Sequence, residues 1–141
     1  MVEKVHILYA DDDQIMRRII GGELARHGFE VIYASDGNEA REMARRLMPE
    51  LVMLDYRMPI FDGLKVTSYL KSEEPTKNLP VILLTNEDVS IEAQKFWKEL
   101  GLDAYIHKSA SFEELYGLVC RVLKSYGCEA PPIQEPGGKK D

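Results

Sequence analysis

Five short apolar runs alternate with amphipathic stretches at intervals of about 20 to 25 residues, a rhythm that restricts the chain to repeated βα units around a parallel sheet. The runs are Val5 to Ala10, Glu30 to Ala34, Leu51 to Leu54, Pro80 to Leu84 and Ala104 to Ile106. Between them lie segments with helical spacing of apolar residues. The first starts near Asp13 or Gln14, carries Ile15, Met16, Ile19, Ile20 and Leu24, and stops at Gly28. The second is capped by Asp36, covers Asn38 to Leu47 with Ala40, Met43, Ala44 and Leu47 turned inward, and ends before Pro49. The third covers Leu64 to Lys71. The fourth runs from Ser90 to Leu100 and closes at Gly101. The fifth runs from Phe112 to Tyr126 behind Ser111, with Glu114 placed for a capping box.

Right-handed crossovers connect such a series into a doubly wound sheet of order 2-1-3-4-5 with five helices, the flavodoxin-like arrangement. The runs end in chemistry-bearing residues: Asp11, Asp12 and Asp13 after the first, Asp55 after the third, Thr85 after the fourth and Lys108 shortly after the fifth. In an open parallel sheet, ligands bind beyond the carboxyl ends of the strands, so these residues are expected at one place. Strands one and three become neighbours, which brings Asp11 and Asp12 to Asp55. Crowded carboxylates repel one another and call for a cation, here a divalent metal. Taken one at a time, each residue has a plainer role: Asp13 as a helix cap, Asp55 and Thr85 as turn residues, Lys108 as a solvated charge. The four together, in order, outweigh that.

The chain carries 24 acidic and 18 basic residues, a formal net charge of −6, which argues against a nucleic-acid-binding face. No apolar run approaches the roughly 18 residues that span a bilayer, and the N-terminus runs straight into a strand without a signal-type segment. Along one helix, Cys120 and Cys128 would stand roughly 12 Å apart, too far for a disulfide. A cytoplasmic location is expected. One domain is read over residues 1–127. The Pro- and Gly-rich segment 128–141 is read as a disordered tail or linker.

These residues and their spacing resemble the response-regulator receiver domain, of the single-domain chemotaxis type. The resemblance covers residues 4 to about 126. It rests on the acidic run, on IMRRII after it, on LDYRMPIFDG around Asp55, on LLT ending at Thr85 and on YIHK ending at Lys108. It implies that Asp55 accepts a phosphoryl group from a histidine kinase or phosphotransfer protein, with Mg²⁺ as the cofactor. Asp12, Asp55 and the backbone carbonyl of Arg57 would be metal ligands, and Asp11 would act through a coordinated water. Lys108 would pair with a phosphoryl oxygen, Thr85 would bond another, and Tyr105 would change rotamer with Thr85. The output surface would be helix four, strand five and helix five, facing a downstream protein or a second copy. The chain would catalyse only its own phosphorylation and dephosphorylation, with no direct contact to nucleic acid or membrane.

Three departures from the family pattern are visible. Ser109 follows Lys108 where a cis proline is usual, so either a trans bond with a shifted loop or a cis bond is expected. Asn86 stands where a smaller residue is usual. Arg57 and Glu87 occupy the two variable positions that tune phosphoryl lifetime, and their opposite charges predict a pair across the site mouth. Two alternatives are a haloacid-dehalogenase-like phosphohydrolase, loosely suggested by Asp11-Asp12-Asp13-Gln14-Ile15, and a binding module that never uses phosphate. His6, His27 and His107 lack metal-ligand spacing; His6 is read as facing a strand surface, His27 as suiting a helix end by its charge, and His107 receives no role.

Overall fold

The computed structural model describes residues 4–132. Five strands and five helices alternate: β1 (His6–Ala10), α1 (Gln14–Arg26), β2 (Glu30–Ala34), α2 (Gly37–Leu47), β3 (Leu51–Asp55), α3 (Gly63–Ser72), β4 (Val81–Thr85), α4 (Ile91–Leu100), β5 (Ala104–His107) and α5 (Phe112–Ser125). The sheet order is β2-β1-β3-β4-β5, and each neighbouring pair is parallel. This is the expected architecture, with boundaries moved by a residue or two where caps, rather than apolar residues, decide them.

The helix starts are set by side-chain caps. Asp13, Asp36, Asp62, Ser90 and Ser111 each accept a backbone N–H of the first turn, and Ser111 with Glu114 completes the capping box. Gly101 ends α4 at a φ of 102°, a left-handed conformation that favours glycine.

The core divides by strand parity. Ile7, Tyr9, Leu51, Met53, Ile82 and Leu84 face α1 and α5. Leu8, Ala10, Val52, Leu54, Val81 and Leu83 face α2, α3 and α4. The central strands β3 and β4 are buried along their whole length, as expected for a parallel sheet covered on both faces. In α1 the row Met16, Ile20, Leu24 turns inward, whereas Ile15 and Ile19 stay exposed at 66% and 55%. Helical spacing alone does not distinguish these two adjacent rows. Leu47, expected inward at the end of α2, is likewise exposed.

The segment read as a tail from residue 128 is described only to residue 132, and that part lies on the domain. Cys128 and Ala130 pack against the cluster beneath α5. The Cys128 N–H donates to the Leu123 carbonyl at 2.9 Å. Pro131 covers Gly28, where an added Cβ would meet its ring carbon at 3.0 Å. The cause is a partly apolar composition, which finds uncovered core at the base of the sheet. Residues 133–141, also included in that reading, lie outside the described residues.

Candidate functional site

Strand parity also sorts the polar residues at the strand ends. Asp11 continues the face of Ile7 and Tyr9, and Asp55 continues that of Leu51 and Met53, so both carboxylates emerge on the α1–α5 side. Lys108 follows Ala104 and Ile106, which pack against that same cluster. Its ammonium reaches Asp11 Oδ2 at 3.0 Å and Asp55 Oδ2 at 3.2 Å, with only 9% of the side chain exposed. Asp11 is fully buried, Asp55 is 6% exposed, and Asp12 is open to solvent.

One oxygen from each of Asp11, Asp12 and Asp55 lies within 4.8 Å of the others. This donor set of hard carboxylate oxygens, one facing water, fits a small divalent cation. An open cleft of about 480 Å³ sits over it, lined by Asp12, Arg57, Met58, Pro59 and Asp62. Burial pushes the Asp55 pKa up to about 6, and Asp11 beside it adds to the rise; Lys108 offsets only part of this. For Lys108, burial works against the charge, but the contacts with Asp11 and Asp55 outweigh it and hold the pKa above its ordinary value.

The backbone around the nucleophile candidate is tightly built. The Tyr56 N–H donates to the Leu84 carbonyl at 2.8 Å, and the Tyr56 carbonyl accepts from Gly63 at 2.8 Å. A Cβ on Gly63 would stand 2.6 Å from the Asp55 carbonyl oxygen, so only glycine lets α3 start this close to β3.

Thr85 ends β4 on the opposite face, continuing Val81 and Leu83, and is 1% exposed. Its hydroxyl accepts the Glu87 N–H at 3.0 Å, and its carbonyl accepts the Lys108 N–H at 2.8 Å. Arg57 Nε donates to Glu87 Oε2 at 2.6 Å, so the pair expected from charge forms and joins the loop after β3 to the loop after β4. Tyr105 stands apart from the carboxylates. It is 37% exposed on β5 and meets Trp97 of α4 edge-on at 5.7 Å. Trp97 in turn meets Tyr56 at 5.6 Å, giving a run of rings from the residue after Asp55 to the α4–β5 face.

The Lys108–Ser109 bond is trans, as are all peptide bonds among the described residues. Here His107, which sequence reasoning left without a role, shapes the loop. Ser109 N–H donates to His107 Nδ1 at 3.1 Å, so Nδ1 carries no proton and Nε2–H donates to the Asn86 carbonyl at 3.0 Å. The ring thereby ties the loop after β5 to the loop after β4. Tyr9 was also overlooked. Its hydroxyl donates to Asp11 Oδ2 at 2.7 Å, and the i, i+2 spacing in β1 was the available signal.

Residues 7–119 match the response regulator receiver domain. The chain is 40% identical over 124 residues to a probable transcriptional regulator, ycf27, of Porphyridium aerugineum, covering 87% of this chain and 50% of that protein. It is 33% identical over 125 residues to the alkaline phosphatase synthesis transcriptional regulatory protein PhoP of Bacillus subtilis, covering 89% of this chain and 51% of that one. The chain therefore spans about half the length of the curated relatives it matches. Among solved structures it is similar to the Francisella response regulator 1452 receiver domain, with a TM-score of 0.79, 29% identity, and 86% and 98% of the two chains covered. It is also similar to the chemotaxis response regulator CheY4 of Vibrio cholerae, with a TM-score of 0.78, 27% identity, and 85% and 99% covered.

Proposed function

The chain belongs to the response regulator receiver domain family, and on that premise we propose that Asp55 accepts a phosphoryl group from the phosphohistidine of a histidine kinase or phosphotransfer protein. Receiver domains of this family serve two-component signalling, in which response regulators interact with histidine kinases and with downstream targets. The observation that carries the proposal is the gathering of Asp11, Asp12, Asp55 and Lys108 below one open cleft.

In this reading an Asp55 oxygen forms a bond to phosphorus as the donor's P–N bond breaks, and the electron pair of that bond stays on the imidazole nitrogen. Asp12, Asp55 and the Arg57 carbonyl would hold Mg²⁺ directly, with Asp11 acting through water. When bound, the cation supplies positive charge that offsets the carboxylates and the incoming phosphoryl oxygens. Lys108 is 3.2 Å from the Asp55 carboxylate and so is placed to pair with a phosphoryl oxygen. The Thr85 hydroxyl already accepts the Glu87 N–H, which leaves its own proton to donate to a second oxygen.

Movement of Thr85 opens space beside Tyr105, whose ring is already exposed beside Trp97. The output surface is α4, β5 and α5, where Ile91, Phe96 and Tyr105 are exposed, and its occupant is a downstream protein or a second copy. The chain turns over no outside metabolite. The acidic balance of the chain supports a receiver unit that does not itself touch nucleic acid. A cytoplasmic location fits the reading; among the described residues no helix is long and apolar enough to cross a membrane. The receiver unit takes in residues beyond 127, since Cys128, Ala130 and Pro131 pack on it.

Incubation with Mg²⁺ and acetyl phosphate tests the proposal. One phosphoryl group is expected on Asp55 by peptide mass spectrometry, and none in Asp55→Asn. Labelling elsewhere, or turnover of the phosphate ester without a labelled protein, rejects it.

A further inference from the structure

We infer that Tyr9 is a positioning residue for this site: its buried hydroxyl, bonded to Asp11, keeps the Lys108 ammonium shared between Asp11 and Asp55. The inference rests on the receiver reading for its consequence, but the contact itself does not depend on that reading.

The geometry begins with β1. Residues two apart on a strand project from the same face, so Tyr9 lies directly beneath Asp11. Tyr9 is fully buried among Ile7, Met53 and Leu84, with the Tyr33 ring 6.4 Å away. A phenol at such depth needs a partner for its hydroxyl. That partner is Asp11 Oδ2, at 2.7 Å. A hydroxyl bonded to a carboxylate is one of the stronger hydrogen bonds available in a protein.

Three of the four acceptor positions of Asp11 are thereby filled, two of them on Oδ2 and one on Oδ1. Oδ1 accepts the Asp13 N–H at 2.9 Å, while Oδ2 accepts the Tyr9 hydroxyl at 2.7 Å and the Lys108 ammonium at 3.0 Å. The donors arrive from the strand below, from the start of α1 and from the loop after β5. Asp55 is treated differently: among the described residues its side-chain donor is Lys108, at 3.2 Å. One carboxylate is locked by protein donors and the other keeps lone pairs free. Asp11 has no solvent to turn to, since it is fully buried. Without the phenol, Asp11 Oδ2 retains only the ammonium and draws it inward, away from Asp55 and from the phosphoryl oxygens that Lys108 would meet. An aliphatic residue at position 9 would pack in the same cluster but leave this oxygen short of a donor. Tyr9 therefore acts on Asp55 at second hand, by leaving Lys108 available to it.

Tyr9→Phe removes the hydroxyl and keeps the ring, and Tyr33→Phe is the control for loss of a neighbouring phenol. In the full chain without metal, the Lys108 ammonium is followed by ¹⁵Nζ NMR. Its resonance is expected to move in Tyr9→Phe and to stay in Tyr33→Phe. With acetyl phosphate, the maximal labelling rate of Tyr9→Phe is expected to fall at least fivefold, while the half-saturating Mg²⁺ concentration changes less than twofold. A variant that was merely destabilised would leave both unchanged below its unfolding temperature. Should Tyr9→Phe not fold, Asp11→Asn provides the reciprocal arm: the Tyr9 hydroxyl proton is expected far downfield in the native chain and upfield in the variant. An unmoved Lys108 resonance together with an unchanged rate overturns the inference, as does a Tyr9 hydroxyl proton indifferent to Asp11→Asn. If the native chain takes no label on Asp55, the functional proposal falls, while the metal-free NMR still decides the Tyr9 contact.

Discussion

Replacing Asp55 with asparagine is expected to stabilise the metal-free protein at neutral pH. The Asp55 side chain is 9% exposed, and burial, reinforced by Asp11, raises its pKa from 3.8 to about 6 despite Lys108 at 3.2 Å. A carboxyl whose folded pKa is raised supports the fold while protonated. That support is whole below pH 3.8 and is lost as pH climbs through about 6. At pH 7.5 the ionised group therefore costs the native state up to about 3 kcal/mol, and by pH 4.5 the cost has shrunk to about 1 kcal/mol. Asparagine carries no such cost, and because the raised pKa is already net of the Lys108 attraction, a gain of up to about 3 kcal/mol at pH 7.5 is expected. Urea denaturation in chelator, from pH 4.5 to 8, reads it directly. Excess Mg²⁺ should close the gap by stabilising the wild type. A wild type more stable than Asp55→Asn at pH 7.5 in chelator refutes the reasoning, as does a difference that does not change with pH.

The same ionisation bears on metal binding. Mg²⁺ affinity, measured by calorimetry, is expected to strengthen as pH rises through about 6, where Asp55 loses its proton; a flat profile from pH 5 to 8 counts against Asp55 as a ligand. Lys108→Met leaves two buried carboxylates without their ammonium, so a loss of about 3 to 5 kcal/mol in chelator is expected, with much of it regained in Mg²⁺. Denaturation with and without the cation checks both halves. Arg57, which lines the open cleft, pairs with Glu87 at 2.6 Å, and the pair is expected to impede a hydrolytic water as a gate. Arg57→Ala is expected to speed loss of the phosphoryl group from Asp55 and to leave stability unchanged; an unaltered decay of the labelled protein removes the gate.

Much of the fold was legible because its signals are local. A buried strand reads as a short apolar run, and a helix start reads as one capping side chain, as at Asp36 and Ser111. The meeting of Asp11 and Asp12 with Asp55 was legible too, since right-handed crossovers leave β1 beside β3. Which of two adjacent rows of α1 turns inward was not. Ile19 and Ile20 are the same residue type, yet one is 55% exposed and the other 8%. Helix rotation about its axis depends on what the sheet and α5 present to it.

The chain by itself determined its strands, its caps and the identity of the charged groups at the strand ends, because each depends on neighbours a few residues away. Only the tertiary structure decided that the Tyr9 phenol ends on Asp11 and that the His107 ring joins two loops. It also decided that residues 128–132 lie on the domain. Each of these turns on where buried polar or apolar surface finds its partner, and that partner comes from the closed packing of the sheet and its two helical layers.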